Sequence, residues 1–438
     1  MNGHFVSRRT LLKGGGAAAA GWSVLRVSGP VEALGGRAED RVDVPWSDDV
    51  SNKSDACLDG SGDVIAWTDQ PIDVPPPAQG VVGNLLKWEA LNSRLTPSDN
   101  FFTVKHYNLP VIDPATWQLS IEGLVGNPMT LSLADLKSRR RRRVEFTLEC
   151  SGNTGLPFFI GGVGNAVWGG AQLAPIMKSA HVDPRASEIV FWGADSGTVT
   201  VRDDSGVTGP GLTGSVEPDA GGGLDLTITE HFARSMSLDD ALAPGNLLSY
   251  EMNDGPLPAE HGAPVRLIAP GWYGVANVKW LSRIQVIDRR FTGRFMARDY
   301  VTIREQNVAG ETLWTFTNVG RARLKSAPAK VTRRGQMHSV VGVAWGAPVG
   351  RVEVSIDGGP WSRAQMCSQD SHGPTGQGLT WQFWTFDWGT PAVGPHTVTS
   401  RAIDTDGNLQ PPPDDPFLAS RRTYWENNGQ ITRTVMIG

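Results

Sequence analysis

The chain has 438 residues, 39% hydrophobic and 19% charged, with 40 basic against 45 acidic side chains and a formal net charge of −5. That length exceeds one ordinary core and points to two or three domains. The composition is that of a globular rather than a disordered protein, and the acidic balance leaves no electrostatic footprint for nucleic acid as a partner.

In chain order, residues 1–33 read as a leader. Ser7-Arg8-Arg9-Thr10-Leu11-Leu12-Lys13 precede a mildly apolar Gly/Ala stretch that ends near Leu25, and Val31-Glu32-Ala33 loosely fits a cleavage site. Twin arginines before a weak apolar segment predict export by the twin-arginine route to the periplasm or another extracytoplasmic compartment. That route carries folded proteins, often with a cofactor inside, so a cofactor enzyme is expected. No later apolar run reaches the roughly 20 residues that span a bilayer.

Residues 34–84 are polar and turn-rich, ending near Pro75-Pro76-Pro77, and predict an extended arm or linker. Residues 85–318 mix short strands and helices, an α+β pattern. Trp117 to Gly123 alternates as a strand, Thr130 to Lys137 predicts a helix capped by Ser132, Val144 to Leu148 predicts a strand running into Cys150, Leu173 to Ala180 a helix and Glu188 to Trp192 a strand. Residues 319–438 carry only short strands with Gly, Pro and Asp turns, among them Asp357-Gly358-Gly359 and Asp406-Gly407-Asn408. This spacing predicts an all-β sandwich. The run from Arg139 to Arg143 predicts a surface loop, either plainly solvated or a docking point for an acidic electron acceptor.

The three cysteines are Cys57, Cys150 and Cys367, with no CxxC pair. They give no support to a zinc ribbon, a covalent c-type haem or a clustered iron–sulfur site, and they leave one bridge between Cys57 and Cys367 open. If sulfur does chemistry here, a lone cysteine carries it. Cys150 stands at a strand end before small residues, where a cysteine is either a buried small hydrophobe or a soft thiolate ligand.

The string Thr147-Leu148-Glu149-Cys150-Ser151-Gly152-Asn153 resembles the cysteine motif of the sulfite oxidase family of molybdopterin enzymes. Further blocks keep the family order: Tyr250-Glu251-Met252-Asn253-Asp254-Gly255-Pro256-Leu257-Pro258, His261 to Arg266, Pro270-Gly271-Trp272-Tyr273-Gly274, Val278-Lys279-Trp280-Leu281 and Arg298-Asp299-Tyr300. The resemblance implies a molybdopterin-binding α+β domain over 85–318 and an immunoglobulin-like dimerisation domain over 319–438, hence a homodimer. It implies a molybdenum–pterin cofactor bound through Cys150, with His106, Asp195, His261, Arg266, Val278 and Lys279 at positions that bind it. Arginine and lysine suit its phosphate, and Tyr300 matches the family's active-site tyrosine.

The implied reaction is two-electron oxygen-atom transfer on a small sulfur compound, with sulfite the leading substrate. No haem signature occurs in this chain, so a separate electron-transfer protein, such as a c-type cytochrome, is the expected acceptor. Two positions depart from the sulfite-oxidising pattern: Val104 and Gly155 stand where those enzymes carry arginine. Lys105, placed with the catalytic residues, and Arg202 are the candidate replacements. The alternatives are a reductive enzyme acting on sulfoxides and a non-catalytic exported binding protein.

Overall fold

The computed structural model describes residues 62–76, 80–201, 226–367 and 379–438. The leader, Cys57 and Arg202 lie outside the described residues.

Two sheets frame the first half. One has the strand order Met129–Ser132, Gln118–Gly123, Leu281–Ile287, Glu188–Val201, Leu226–Ser237. Its one parallel pairing joins Gln118–Gly123 to Leu281–Ile287. The other runs Gly255–Pro256, Leu247–Met252, Val163–Gln172, Arg141–Glu149, with Arg266–Ile268 also paired to Leu247–Met252. Leu119, Ile121, Ile189, Phe191 and Ile284 of the first sheet share a core with Leu248 and Leu267 of the second.

Helix Leu173–Ala180 inserts Leu173, Ile176, Met177 and Ala180 into that core and ends at His181, whose φ of 56° stops the helical turn. The shorter helix Leu133–Lys137 begins as its sequence predicts. The Ser132 hydroxyl accepts from Asp135 N at 3.1 Å, and the Asp135 carboxylate accepts from Ser132 N at 2.8 Å, a reciprocal cap. Helices elsewhere among the described residues are single turns, so sheet dominates and the helical share of the α+β expectation is small. No described helix is long and apolar enough to cross a membrane.

Only Arg139 and Arg140 of the arginine run lie in a loop. Arg141–Arg143 open the strand Arg141–Glu149, where Arg141 bonds Glu251 at 2.7 Å and Arg143 pairs with Asp254. Acidic partners at the end of the next strand but one, Leu247–Met252, and in the turn after it neutralise these arginines and let them join the sheet.

The second half is a sandwich of antiparallel sheets. Lys325–Arg334, Met337–Trp345 and Gln382–Gly389 lie in one, and Val349–Ile356, Gly394–Asp404 and Ile431–Ile437 in the other. Val331, Val340 and Trp384 meet Val352, Val398 and Val435 between them. Part of the stretch read as an arm is built into this sandwich. Asp63–Ile65 adds an edge strand to Lys325–Arg334, and Trp67, 2% exposed, donates from Nε1 to Ala329 O at 2.8 Å. Burying one indole secures a segment that is otherwise polar.

Candidate active site

Strand Arg141–Glu149 becomes fully buried from Val144 onward and delivers Cys150 to a tight turn. Cys150 N donates to Gly162 O at 2.8 Å, and Asn153 N donates back to Cys150 O at 2.9 Å. The Asn153 side chain fixes the turn at both ends: Oδ1 accepts from Gly161 N and Gly162 N at 2.9 and 3.0 Å, and Nδ2 donates to Glu149 at 2.9 Å. Cys150 is a free thiol, 7% exposed, and burial pushes its pKa up to about 12. Such a thiol stays protonated until a metal displaces the proton. Cys367, in contrast, is disulfide-bonded.

Cys150 opens into a cleft of about 620 Å³, mouth included, whose walls also hold His106, Asp195, His261, Arg266, Lys279 and Tyr300. Thus seven of the nine residues singled out in the sequence converge. The other two do not line it. Lys105 points its ammonium to within 3.9 Å of Glu260. Val278 turns its side chain into the core, and its carbonyl accepts from Leu267 N at 2.8 Å.

Two cations lie deep in the cleft. Arg266, 4% exposed, donates to His261 O and Asn277 O at 2.9 Å each and stacks 4.8 Å from the Trp168 ring. Lys279 donates to Val104 O and Glu260 O, both at 3.0 Å. Burial lowers Arg266 to about 9; burial and then the Arg266 charge lower Lys279 to about 7. Asp195 is raised to about 6 by burial despite Lys279. Gly262, at φ 109°, passes where a Cβ would stand 2.9 Å from Lys279 Cβ and 3.1 Å from Arg266 Cβ, so only glycine lets the loop close over both.

At the Cys150 end, His106 Nε2 and the Tyr300 hydroxyl are 2.6 Å apart. His106 is packed against Phe232 at 4.7 Å and Phe295 at 4.9 Å, and burial, then Lys279, lowers it to about 3; the ring is neutral. Burial raises the Tyr300 phenol well above its ordinary value, so it is a hydrogen-bond donor at any working pH. His261 is likewise held neutral, lowered to about 4 by burial and Arg266, with Nε2 donating to Ser98 O at 3.0 Å.

Sequence reasoning missed Asn277, whose Oδ1 accepts from Ala269 N at 2.8 Å while its carbonyl holds Arg266. A polar residue between Ala276 and Val278 was the available signal. It also missed Trp425, stacked on Tyr300 at 4.3 Å from more than a hundred residues away, for which no local signal exists.

The family model for the oxidoreductase molybdopterin binding domain matches residues 106–209 and 215–295, and that for the Mo-co oxidoreductase dimerisation domain matches 321–426. The chain belongs to the sulfite oxidase family of molybdopterin-dependent oxidoreductases. It is 28% identical to sulfite oxidase of Gallus gallus over 437 residues, covering 92% of this chain and 86% of that one. Identity to mitochondrial sulfite oxidase of Rattus norvegicus is 30% over 346 residues, covering 73% of this chain and 58% of the rat protein. The crystal structure of the sulfane dehydrogenase SoxCD from Paracoccus pantotrophus shares the fold, with a TM-score of 0.65 and 22% identity over 90% of this chain and 97% of that one.

The donor set suits a sulfite oxidase-type cofactor. Asp195 Oδ1 and Arg266 Nε are buried in this cleft without hydrogen-bond partners among the described residues. An acceptor and a donor so placed, beside two crowded cations, suit a ring with N–H groups and a phosphate. A soft thiol suits a soft metal.

Proposed function

We propose that this oxidoreductase transfers an oxygen atom at a molybdenum–pterin cofactor, oxidising sulfite to sulfate and passing the electrons to a separate protein, a c-type cytochrome or similar carrier. The observation that supports this most is the meeting of Cys150, Tyr300 and the Arg266–Lys279 pair in one cleft. Bound there, the cofactor supplies two-electron oxygen exchange with sulfur and single-electron return. Cys150 holds the metal. Arg266 and Lys279 seat the phosphate, His261 holds the loop over it through Ser98 O, and Asp195 accepts from the ring. With neutral His106 donating from Nε2–H to its oxygen, Tyr300 keeps its own proton to donate to charge developing on a substrate oxygen. Phe232 and Phe295 pack against the His106 ring and fix its orientation.

Sulfite turnover with cytochrome c, measured on protein matured with its cofactor, tests this. Rates no higher than those of Cys150→Ser would count against it. Replacing Tyr300 by phenylalanine is expected to lower kcat about 100-fold, the usual effect of losing one such donor, with molybdenum content unchanged. A kcat within twofold of wild type would remove Tyr300 from the reaction.

One observation favours sulfoxide reduction as a second reading. A Cβ on Gly155 would stand 2.1 Å from Tyr424 O, so no side chain, cationic or otherwise, fits where sulfite enzymes place arginine. Alkyl sulfoxide turnover with a reduced viologen, exceeding sulfite turnover, would select it. The leader supports export in the folded state, which periplasmic fractionation checks. The matched dimerisation domain supports a homodimer, checked by a solution mass of two chains.

A further inference from the structure

The turn that carries Cys150 is anchored from the C-terminal sandwich as well as from its own half. Glu149, the residue before the cysteine, is fully buried, and its Oε1 lies 2.5 Å from the Nζ of Lys325, which is 1% exposed. Glu149 Oε2 accepts from Trp345 Nε1 at 2.8 Å. Lys325 and Trp345 face each other across the first two long strands of the sandwich, and Lys325 also reaches Thr154 Oγ1 at 3.4 Å. On the other side of the turn, Glu426 N donates to Ser151 O at 2.7 Å and Asn427 Nδ2 to Thr154 O at 2.6 Å. The catalytic half holds the same turn through Cys150 N to Gly162 O at 2.8 Å and through Asn153, which bonds Gly161 N and Gly162 N as well as Glu149.

A buried ion pair is a poor way to gain stability, because desolvating both charges offsets most of their attraction and an apolar pair of like volume does as well or better. What it does provide is geometry. Charge-assisted bonds at 2.5 and 2.8 Å hold Glu149 at two oxygens, and the next residue inherits that placement.

We infer that Lys325 and Trp345, acting through Glu149, are positioning residues for Cys150, so that the sandwich braces the turn bearing the metal ligand from outside the cleft rather than serving dimerisation alone. The inference deepens the reading of Cys150 as the molybdenum ligand. Its first readout is independent of that reading: the rate at which a thiol reagent modifies Cys150 in the full chain produced without cofactor, followed by peptide mapping.

Lys325→Met alone strands a buried carboxylate and lowers Tm. The double variant Glu149→Leu with Lys325→Met replaces the pair by apolar groups, leaves the Trp345 Nε1 and Asn153 Nδ2 donors without their acceptor, and should melt within about 10 °C of wild type. If the pair only stabilised the fold, Cys150 in this variant would react at the wild-type rate despite the lower Tm. As a positioning device, its loss raises the Cys150 modification rate at least threefold and shifts the g values of half-reduced holoenzyme. A stable double variant with wild-type modification rate and spectrum would overturn the inference. Should that variant fail to fold, Trp345→Phe removes one bond to Glu149 without stranding a charge in a buried site. A smaller rise in modification rate is expected there, and an unchanged rate overturns the inference equally. Should Cys150 respond as expected while wild-type holoenzyme turns over sulfite no faster than Cys150→Ser, the substrate proposal fails and the positioning role stands.

Discussion

Serine in place of Cys150 is expected to leave a folded protein whose turnover has dropped more than about 100-fold. Loss of a group that merely orients a metal ligand costs 10- to 100-fold, and loss of the ligand itself should exceed that. The fold should survive because Oγ replaces Sγ with little change of shape. The serine hydroxyl would be buried in place of a weakly polar thiol, at a cost of about 1–3 kcal/mol if it finds no partner. Molybdenum content and Tm together separate the two effects: low metal with a modest Tm change marks a lost ligand, and a collapsed Tm marks a lost core. Wild-type rates in Cys150→Ser would move the ligand elsewhere. Burial raises the thiol to about 12, so ligation must release a proton, and loading should be weaker at low pH.

What the sequence made legible was local. Helix Leu173–Ala180, the Ser132 cap and the strand into Cys150 each depend on neighbours within a few residues, and each stands where its pattern puts it. The meeting of His261, Arg266, Lys279 and Tyr300 with Cys150 was legible only through family blocks, since none has spacing that announces a shared site. Long-range pairings were not legible. Lys325 meets Glu149 across 176 positions, and nothing in the text around either distinguishes it from a solvated charge. The same holds for Trp67, whose polar surroundings read as linker until the sandwich is present to bury it. Arg141–Arg143 read as loop because a charge run lacks the alternation of a strand; Glu251 and Asp254, over a hundred residues on, supply what the local pattern omits. Lys105 stands beside Val104 in sequence, but it follows the end of the short strand Thr103–Val104 and its ammonium turns to Glu260.

Replacing Lys279 by methionine is expected to weaken cofactor retention by about 10- to 100-fold, and to do so while removing a pH dependence from the cofactor-free chain. The first effect follows from one charge-assisted bond to phosphate, worth about 1.5–3 kcal/mol, with one decade per 1.4 kcal/mol. The second follows from linkage. Burial and the neighbouring Arg266 charge lower Lys279 from 10.5 to about 7 in the folded chain. Between those values the unfolded chain holds a proton on this lysine that the folded chain has lost, so stability rises with pH across that window. Below about pH 7 both states are protonated, and the full penalty for the buried charge remains. The cofactor-free chain should therefore melt higher at pH 9 than at pH 7, and the methionine variant should lack that increment. In loaded protein a phosphate beside Lys279 keeps it charged, and the increment should vanish there too. Thermal melts at the two pH values, with and without cofactor, give four numbers. An increment of equal size in the variant would show that the gain arises at some other group, and that Lys279 carries no unbalanced charge for an anion to complete.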